Sequence, residues 1–458
     1  MHRDSTYLFE KEKIGKAMIA LAVPSILVSV VDLIYSTINQ YFVGQLKNSA
    51  MIAAMSTNVS INIFIESVGA FVGIGGASYL GRILGARSDP EKVYETVRTS
   101  MTLCIVLSLV HMVLGILVLR PYILWQTNDP EVISYATIYG IIDIVMMVFF
   151  VIRTTAVHLL RSVGDIRYST VIISASVVLN IVLDPLLMFD RGLGLGIYGA
   201  ALATAFCRGF TAVLCLHRLH SHKTALYWKF MDLHMDKHIV KEIAKVGASC
   251  YVRNVIPGFA SGIYNKQVFA FSTDFVAGCS VGKNASYFMN FFIQGAANGY
   301  LPFASYNYGA RNYQRLHQSM ILSLSVLTAY SLLADAVIWK YGYEYIGLFA
   351  ANEASIAYGV RYIMAYTVSL PVYAAYYILT ISLQAAGMGK ESMILSISRH
   401  GLIYIPLIIL LPKLLQEKGI YYAQPLSDWL SVILAVFLCR KLLEEIRIGA
   451  KNIQNHDF

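Results

Sequence analysis

Leu84-Gly85-Ala86-Arg87 returns as Tyr308-Gly309-Ala310-Arg311, 224 positions later. The same interval carries Asn128-Asp129 onto Asn352-Glu353, and an interval of 223 carries Tyr135 and Tyr139 onto Tyr358 and Tyr362. Gly196-Ile197-Tyr198-Gly199-Ala200 returns as Gly419-Ile420-Tyr421-Tyr422-Ala423, again at 223. Each match is short. Their agreement on nearly one interval, about half the chain, marks a duplicated unit.

Both copies are strings of apolar segments. Of the 458 residues, 57% are hydrophobic and only 14% are charged, against about 25% charged in soluble domains. Apolar runs of about 20 residues are long enough to cross a bilayer as helices. Lipid satisfies no backbone polar group, which leaves helices or closed barrels, and these runs are too long and continuous for barrel strands. The first copy gives spans Met18–Phe42, Met51–Leu80, Thr99–Leu119, Ile133–Val157, Ser169–Phe189 and Ile197–Leu216. The second gives Val246–Phe271, Val281–Tyr306, Met320–Trp339, Tyr358–Ala385, Met393–Leu411 and Tyr421–Leu438. The expected fold is an all-α polytopic membrane protein of twelve transmembrane helices. An even number of spans per copy keeps the two six-helix repeats parallel, around a central cleft where transporters bind their substrates. The expected division is a first lobe over 1–217, an interlobe linker over 218–245 and a second lobe with its tail over 246–458.

The net charge of +9 is distributed as membrane topology, not as a nucleic-acid surface. With the N-terminus inside, the outer loops carry only Lys47, Arg120, Arg191, Lys340, Lys413 and Lys418. The positive-inside rule then places both termini in the cytoplasm. The first 16 residues are charged and polar and show no cleavage pattern, so the first helix is expected to remain. All six cysteines lie in or beside spans without a spacing motif, so neither disulfides nor zinc is expected. The connector holds His217, His220, His222, His234 and His238 and reads as a solvated basic loop.

Ionisable side chains at bilayer depth are costly and point to function. The acids Asp32, Glu66, Asp143 and Asp184 fall in the first copy; the bases Arg253, Lys266, Lys283, Arg361 and Arg399 fall in the second. This asymmetry suggests that one lobe holds a cation. At about 1.5 Å per helical residue, Asp184 lies roughly 22 Å up the fifth span and Asp32 roughly 21 Å up the first. Asn180 is one turn below Asp184, and Thr204 lies roughly 10 Å down the sixth span. Carboxylate, amide and hydroxyl oxygens are hard ligands suited to a small cation, and a carboxylate kept from water can instead carry a proton. Asp143, Glu66, Arg253 and Arg399 are candidates for the cleft, Glu66 also for pairing with Arg153. Lys266, Lys283 and Arg361 are expected to snorkel to the outer headgroups. Tyr362, Tyr366, Tyr373 and Tyr377 recur at helical spacing along the tenth span, a face able to hold an organic cation or simply to pack. Pro24, Pro257, Pro302, Pro371 and Pro406 interrupt spans and suit a bundle that must rock.

Across nearly its whole length the chain resembles the bacterial type of the multidrug and toxic compound extrusion (MATE) family of antiporters. The resemblance is carried by Phe42-Val43-Gly44, by Gly73-Ile74-Gly75-Gly76-Ala77-Ser78 and by Leu179-Asn180-Ile181-Val182-Leu183-Asp184-Pro185 with Gly199-Ala200-Ala201-Leu202-Ala203-Thr204. Tyr306-Asn307-Tyr308-Gly309-Ala310 and Pro425-Leu426-Ser427-Asp428 carry it in the second copy. It implies export of organic, often cationic, compounds driven by inward sodium or protons, through twelve helices around a V-shaped cleft. Asn180, Asp184 and Thr204 match the family's first-lobe cation site, and Tyr35 an adjoining tyrosine. The usual first-helix aspartate falls at Asn39 here, with Asp32 two turns away on the same face. Arg208 and Arg253 stand where relatives often carry glutamine.

The expected function is therefore a secondary active antiporter in the cell (inner or plasma) membrane, exporting cationic, amphipathic compounds by alternating access. No cofactor beyond a coupling cation is expected, no nucleic acid, no partner beyond substrate and lipid bilayer, and a monomer. The alternatives are a flippase for lipid-linked saccharides, or an exporter of an anionic or zwitterionic metabolite. An intramembrane enzyme would need a convergent set, whereas His111, His158 and His400 are scattered.

Overall fold

A computed structural model describes residues 3–190, 192–221, 226–229, 232–349 and 352–454. Arg191, His222 and the side chain of Asp32 lie outside the described residues. No strand occurs among those described. A short helix α1 (Arg3–Glu10) precedes the first lobe, formed by α2 (Ile14–Gln45), α3 (Ser49–Gly85), α4 (Pro90–Gln126), α5 (Pro130–Ser162), α6 (Ile166–Met188) and α7 (Ile197–His220). The second lobe holds α8 (Lys237–Val268), α9 (Thr273–Gly309), α10 (Tyr313–Gly347), α11 (Glu353–Thr367), α12 (Leu370–Ala385), α13 (Gly389–Ile397), α14 (Tyr404–Leu415) and α15 (Glu417–Gln454). Eight segments are long and apolar enough to cross a membrane alone, α13 and α14 counting as one, and α11 with α12 make a ninth bent by 47°. The long helices α8, α9 and α15 carry more polar side chains and complete the twelve spans.

The repeat extends to helix caps and turns. Asn48 caps α3 by accepting from Met51 N, and Ser272 caps α9 by accepting from Phe275 N. Asp129 caps α5 and Asn352 caps α11, both satisfying free N–H groups of the first turn. These caps are 223 apart, so the Asn128–Asn352 match in sequence is out of structural register by one. After α3 and α9, Arg87 and Arg311 take the left-handed conformation (φ 51° and 56°). Gly164 and Gly387 do the same before α6 and α13 (φ 82° and 75°).

The motif that reveals the duplication is also the seam between the lobes. A Cβ on Gly85 would lie 1.9 Å from Tyr306 O, and one on Gly309 would lie 2.0 Å from Arg82 O. Gly75 and Gly247 bring α3 and α8 into the same backbone contact, with a Cβ 2.4 Å from Ile243 O and 2.3 Å from Phe71 O. Gly295 and Gly299 bring α9 against Ile26 and Leu21 of α2. Small residues let helix backbones approach where no hydrophobic drive exists between spans. Arg82 adds an ion pair to Glu242 across the seam (3.3 Å), and Ser78 Oγ donates to Gln384 O (2.5 Å). The strap α1 lies over it: Phe9 stacks on Tyr306 at 5.1 Å, and Glu10 accepts from Tyr306 OH and pairs with Arg87.

All these contacts lie near the starts of α2 and α8 and the ends of α3 and α9. Toward the other end, Cβ atoms on Gly44, Gly258 and Gly262 would meet nothing within 4 Å. The close glycine contacts between the lobes therefore gather on the N-terminal side of α2 and α8. The tenth span breaks at Val368-Ser369, with Pro371 in the first turn of α12. The eleventh passes through a π turn at Ser398–Leu402, a feature that frees backbone groups and recurs at functional sites.

Candidate functional site

Helix α6 is polar inside and apolar outside. Val171, Val178, Val182 and Leu186 are exposed toward lipid, while Ser176, Asn180 and Asp184 form a buried stripe at helical spacing. The helix runs through Pro185 to Met188, so Asp184 sits within it rather than at a terminal turn. Helix α7 approaches closely through its small residues: a Cβ on Gly199 would lie 2.6 Å from the Leu187 carbonyl. That approach sets Thr204 beside the polar stripe. With its amide oriented to satisfy both neighbours, Asn180 donates to Asp184 Oδ2 (2.9 Å) and accepts from Thr204 N–H (3.2 Å). Tyr35 of α2 reaches Thr204 Oγ1 at 2.7 Å. Three helices thus meet around Thr204, and Asn180 links that point to the carboxylate.

That carboxylate is 0% exposed, and its Oδ1 has no hydrogen-bond partner. Asn39, one turn beyond Tyr35, is likewise buried with Oδ1 unpartnered. A buried carboxylate oxygen with no protein donor is met by a proton, a cation or a bound water. Asp184, Thr204, Tyr35 and Asn39 bring carboxylate, hydroxyl and amide oxygens to this place, the chemistry of a small hard cation, and Asn180 adds its own oxygen when its amide is turned to face Asp184.

Asp143 is not part of this group. It forms an ion pair with Arg208 (3.3 Å) and accepts from Asn62 (3.1 Å), while Arg208 also donates to Asn62 Oδ1 (3.1 Å). The closed triangle neutralises the acid and satisfies both partners, as a buried pair requires. Arg208 and Arg153 both lie 4.9 Å from the centre of the Phe150 ring. Glu66 lies on an exposed part of α3, within electrostatic reach of Arg208.

The second lobe corrects the expectation that buried acids belong to the first copy alone. Asp428 of α15 is 0% exposed and pairs with Arg399 at 2.7 Å. It also accepts from Ser369 Oγ (3.0 Å) and Gln424 Nε2 (2.8 Å). The Arg399 guanidinium lies 4.1 Å from the Tyr373 ring centre. The four tyrosines of the tenth span are buried on two helices rather than one. Asn290 donates to Tyr366 OH (2.6 Å) and Gln294 to Tyr373 OH (3.2 Å). Tyr362 packs against Tyr264 and Tyr421, and Arg253 lies 5.1 Å from the Tyr377 ring centre. Lys283 does not snorkel: it donates to Ser261 Oγ (2.9 Å) over the Tyr264 ring.

Sequence reasoning missed Asn62 as a partner, and nothing in its surroundings signals it. Arg208 was open to recognition, four residues beyond Thr204 on the same face of α7. Asp428 stood in a quoted motif without a role.

The family model MatE matches residues 24–186 and 258–410. The multidrug export protein MepA of Staphylococcus haemolyticus (strain JCSC1435) is 25% identical over 453 residues, covering 99% of both chains. MepA of Staphylococcus aureus (strain N315) is 24% identical over 463 residues, with the same coverage. Among solved structures, a MOP superfamily transporter from Pyrococcus furiosus, for which a binding pocket of reversed polarity is described, superposes with a TM-score of 0.91 at 19% identity, covering 98% of this chain and 99% of that one. A MATE protein in a bent conformation superposes with a TM-score of 0.91 at 20% identity, covering 98% and 100%. A multidrug resistance MATE transporter in an outward-facing conformation gives 0.90 at 20% identity, covering 97% and 99%. A polytopic, duplicated helical bundle that the family model spans in both halves is a member of the MatE family of multidrug efflux transporters.

Proposed function

We propose that the protein is a secondary active antiporter that exports organic compounds, cationic and amphipathic in character, in exchange for inward sodium ions or protons. The observation that carries this reading is the buried Asp184 Oδ1 without a partner, among Asn180, Thr204 and Tyr35. The multidrug export relatives support the organic substrate. Asp184, Asn180 and Thr204 hold the coupling cation, with Tyr35, Asn39 and Asp32 of α2 completing or adjoining the site. The cation ties α2, α6 and α7 together, so its arrival and loss change how the first lobe packs on the second. Asp143, Glu66, Arg253, Arg399 and the tyrosines of the tenth span shape the cleft wall.

The lobes are 1–217 and 246–458, joined by the linker 218–245. The protein acts as a monomer in the cell membrane with both termini cytoplasmic. It needs no cofactor beyond the cation and makes no covalent change in its substrate. In that orientation the glycine seam, with Arg82–Glu242, seals the cytoplasmic side and the V opens outward. Rocking the lobes must break this seam before substrate can enter from inside. The test is export from proteoliposomes under separately imposed sodium and pH gradients. Asp184→Asn is expected to lose gradient-driven transport; transport equal to the parent removes Asp184 from the engine.

A further inference from the structure

Two interrupted spans meet at one buried acid in the second lobe. From the break in the tenth span, Ser369 Oγ donates to Asp428 Oδ2 (3.0 Å). From the π turn of the eleventh, Arg399 Nε donates to Asp428 Oδ1 (2.7 Å). Ser427, beside the acid, donates to the carbonyl of Arg399 (2.6 Å). Transporters build ion sites where broken helices surround a buried acid, because the freed backbone and the carboxylate call for a cation. In the first lobe the corresponding helices α5, α6 and α7 run unbroken. There Arg208 closes on Asp143, and Asp184 Oδ1 is left without a partner.

The repeat shows what each of these residues replaces. Gly199 packs on the Leu187 carbonyl and Gly419 on the Leu411 carbonyl (Cβ 2.6 and 2.4 Å from the oxygens). Gly196 and Gln416 share the positive φ that precedes the sixth helix (55° and 53°). In space the sixth spans are therefore 220 apart and the fifth spans 224 apart in that layer. Nearer the seam, Ser176 Oγ donates to Cys207 O as Ser427 Oγ does to Arg399 O. The sixth spans keep 220 there and the fifth stand at 223, the π turn supplying the one-residue step. Arg399 thus stands where the first copy has Ser176, and Asp428 where it has Arg208. Gln424 takes the place of Thr204, Tyr404 that of Asn180 and Ile408 that of Asp184. Ile408 is fully buried, and Gln424 donates to Asp428 (2.8 Å).

We infer that Arg399 is a tethered substitute for the coupling cation: its guanidinium permanently fills, in the second lobe, the kind of site that an exchangeable ion fills in the first. It is a positioning residue that acts through Asp428. It joins the break of the tenth span, the π turn of the eleventh and α15 by a charge that no gradient can remove. The second lobe therefore keeps its shape while the first responds to the ion. Tyr373, with its ring centre 4.1 Å from the guanidinium, is held with it on the cleft wall. This rests on the antiport reading above and assigns the switching to one lobe. Asp335 of α10 stands apart: its Oδ1 is buried without a partner, and no charged side chain acts on it.

The test counts exchangeable cations in the purified full-length protein, from radioactive sodium binding and proton release. It also reads how steeply transport in vesicles follows the driving ion. Arg399→Ser installs the residue of the first copy and leaves Asp428 to take a cation from solution. This variant should bind about one cation more than the parent, and the apparent order of transport in the driving ion should rise by about one. Millimolar methylguanidinium, a free copy of the lost group, should return both to the parent values. Adding Asp428→Asn should abolish the extra cation, whereas adding Asp335→Asn should not. No extra cation in folded Arg399→Ser, or one that survives Asp428→Asn, overturns the inference. If Arg399→Ser does not fold, Arg399→Ser combined with Asp428→Asn, which strands no charge, decides. The parent's cation count in that double variant supports a filled and silent site. A lower count means that Asp428 exchanges its cation in the parent, and refutes it. The count requires no transport, so it stands even if export fails. Asp184→Asn, expected to lower the count by about one, reports on the antiport reading separately.

Discussion

Replacing Gly85 by alanine places a methyl group where the lobes touch. The new Cβ would lie 1.9 Å from Tyr306 O and 2.7 Å from Ala310 N, against 3.4–4 Å for ordinary contact. Both neighbours are backbone atoms, so no side chain can swing aside; the helices α3 and α9 must separate by roughly 1.5 Å, the difference between these distances. Overpacking of this kind is unfavourable by about 1–3 kcal/mol, and here only the closed-seam state bears it. The population of that state should fall by about five- to a hundredfold relative to the alternative. Gly309→Ala should act alike, because its Cβ meets Arg82 O at 2.0 Å. Gly44→Ala is the control, having nothing within 4 Å. Pulsed electron spin resonance between nitroxides on Thr37→Cys and Phe259→Cys reads the separation of the open ends, where both native side chains are exposed. The six native cysteines are buried and will not compete for label. Gly85→Ala should move weight from the long to the short distance. An unchanged distribution in a folded Gly85→Ala protein would refute the claim that this seam holds the lobes closed.

Other consequences follow from the same geometry. Asp143→Asn alone should lower stability by about 3 kcal/mol by stranding Arg208, whereas Asp143→Asn with Arg208→Gln should recover most of it; thermal unfolding in detergent measures both. Tyr35→Phe removes the bond to Thr204 and should weaken cation affinity by about fivefold, near 1 kcal/mol, read from the gradient dependence of transport. Glu242→Gln deletes the carboxylate that pairs with Arg82 across the seam. It should shift the nitroxide distances in the same direction as Gly85→Ala but by less, because Ser78–Gln384 remains.

The architecture was legible because duplication preserved what the backbone needs. Gly85 and Gly309 persist since no side chain fits between the lobes, and Arg87 and Arg311 mark the same turn after them. Register was less certain, as Asn128 and Asn352 match in letter while Asp129 and Asn352 match in role. The break at Val368-Ser369 was hidden because apolar character continues through the 47° bend. Of the first-lobe group, Asn180 and Asp184 share a helix face and could be linked by spacing alone. Their meeting with Thr204 and Tyr35 depends on how closely α7 packs on α6, which is tertiary. The pairs Asp143–Arg208 and Arg399–Asp428 join residues 65 and 29 positions apart, and no periodicity encodes such distances. The second lobe is not purely basic: Asp428 lies beside Arg399, and Asp335 stands within the ninth span, where the sequence alone shows it.

The central claim is that Asp184 carries the coupling cation. Equilibrium binding of radioactive sodium to the purified protein, with proton release followed in the same sample, tests it most directly. The account predicts that one ion, sodium or proton, exchanges at a site that Asp184→Asn abolishes and Asp143→Asn spares. Undiminished sodium binding and proton exchange in Asp184→Asn would contradict it.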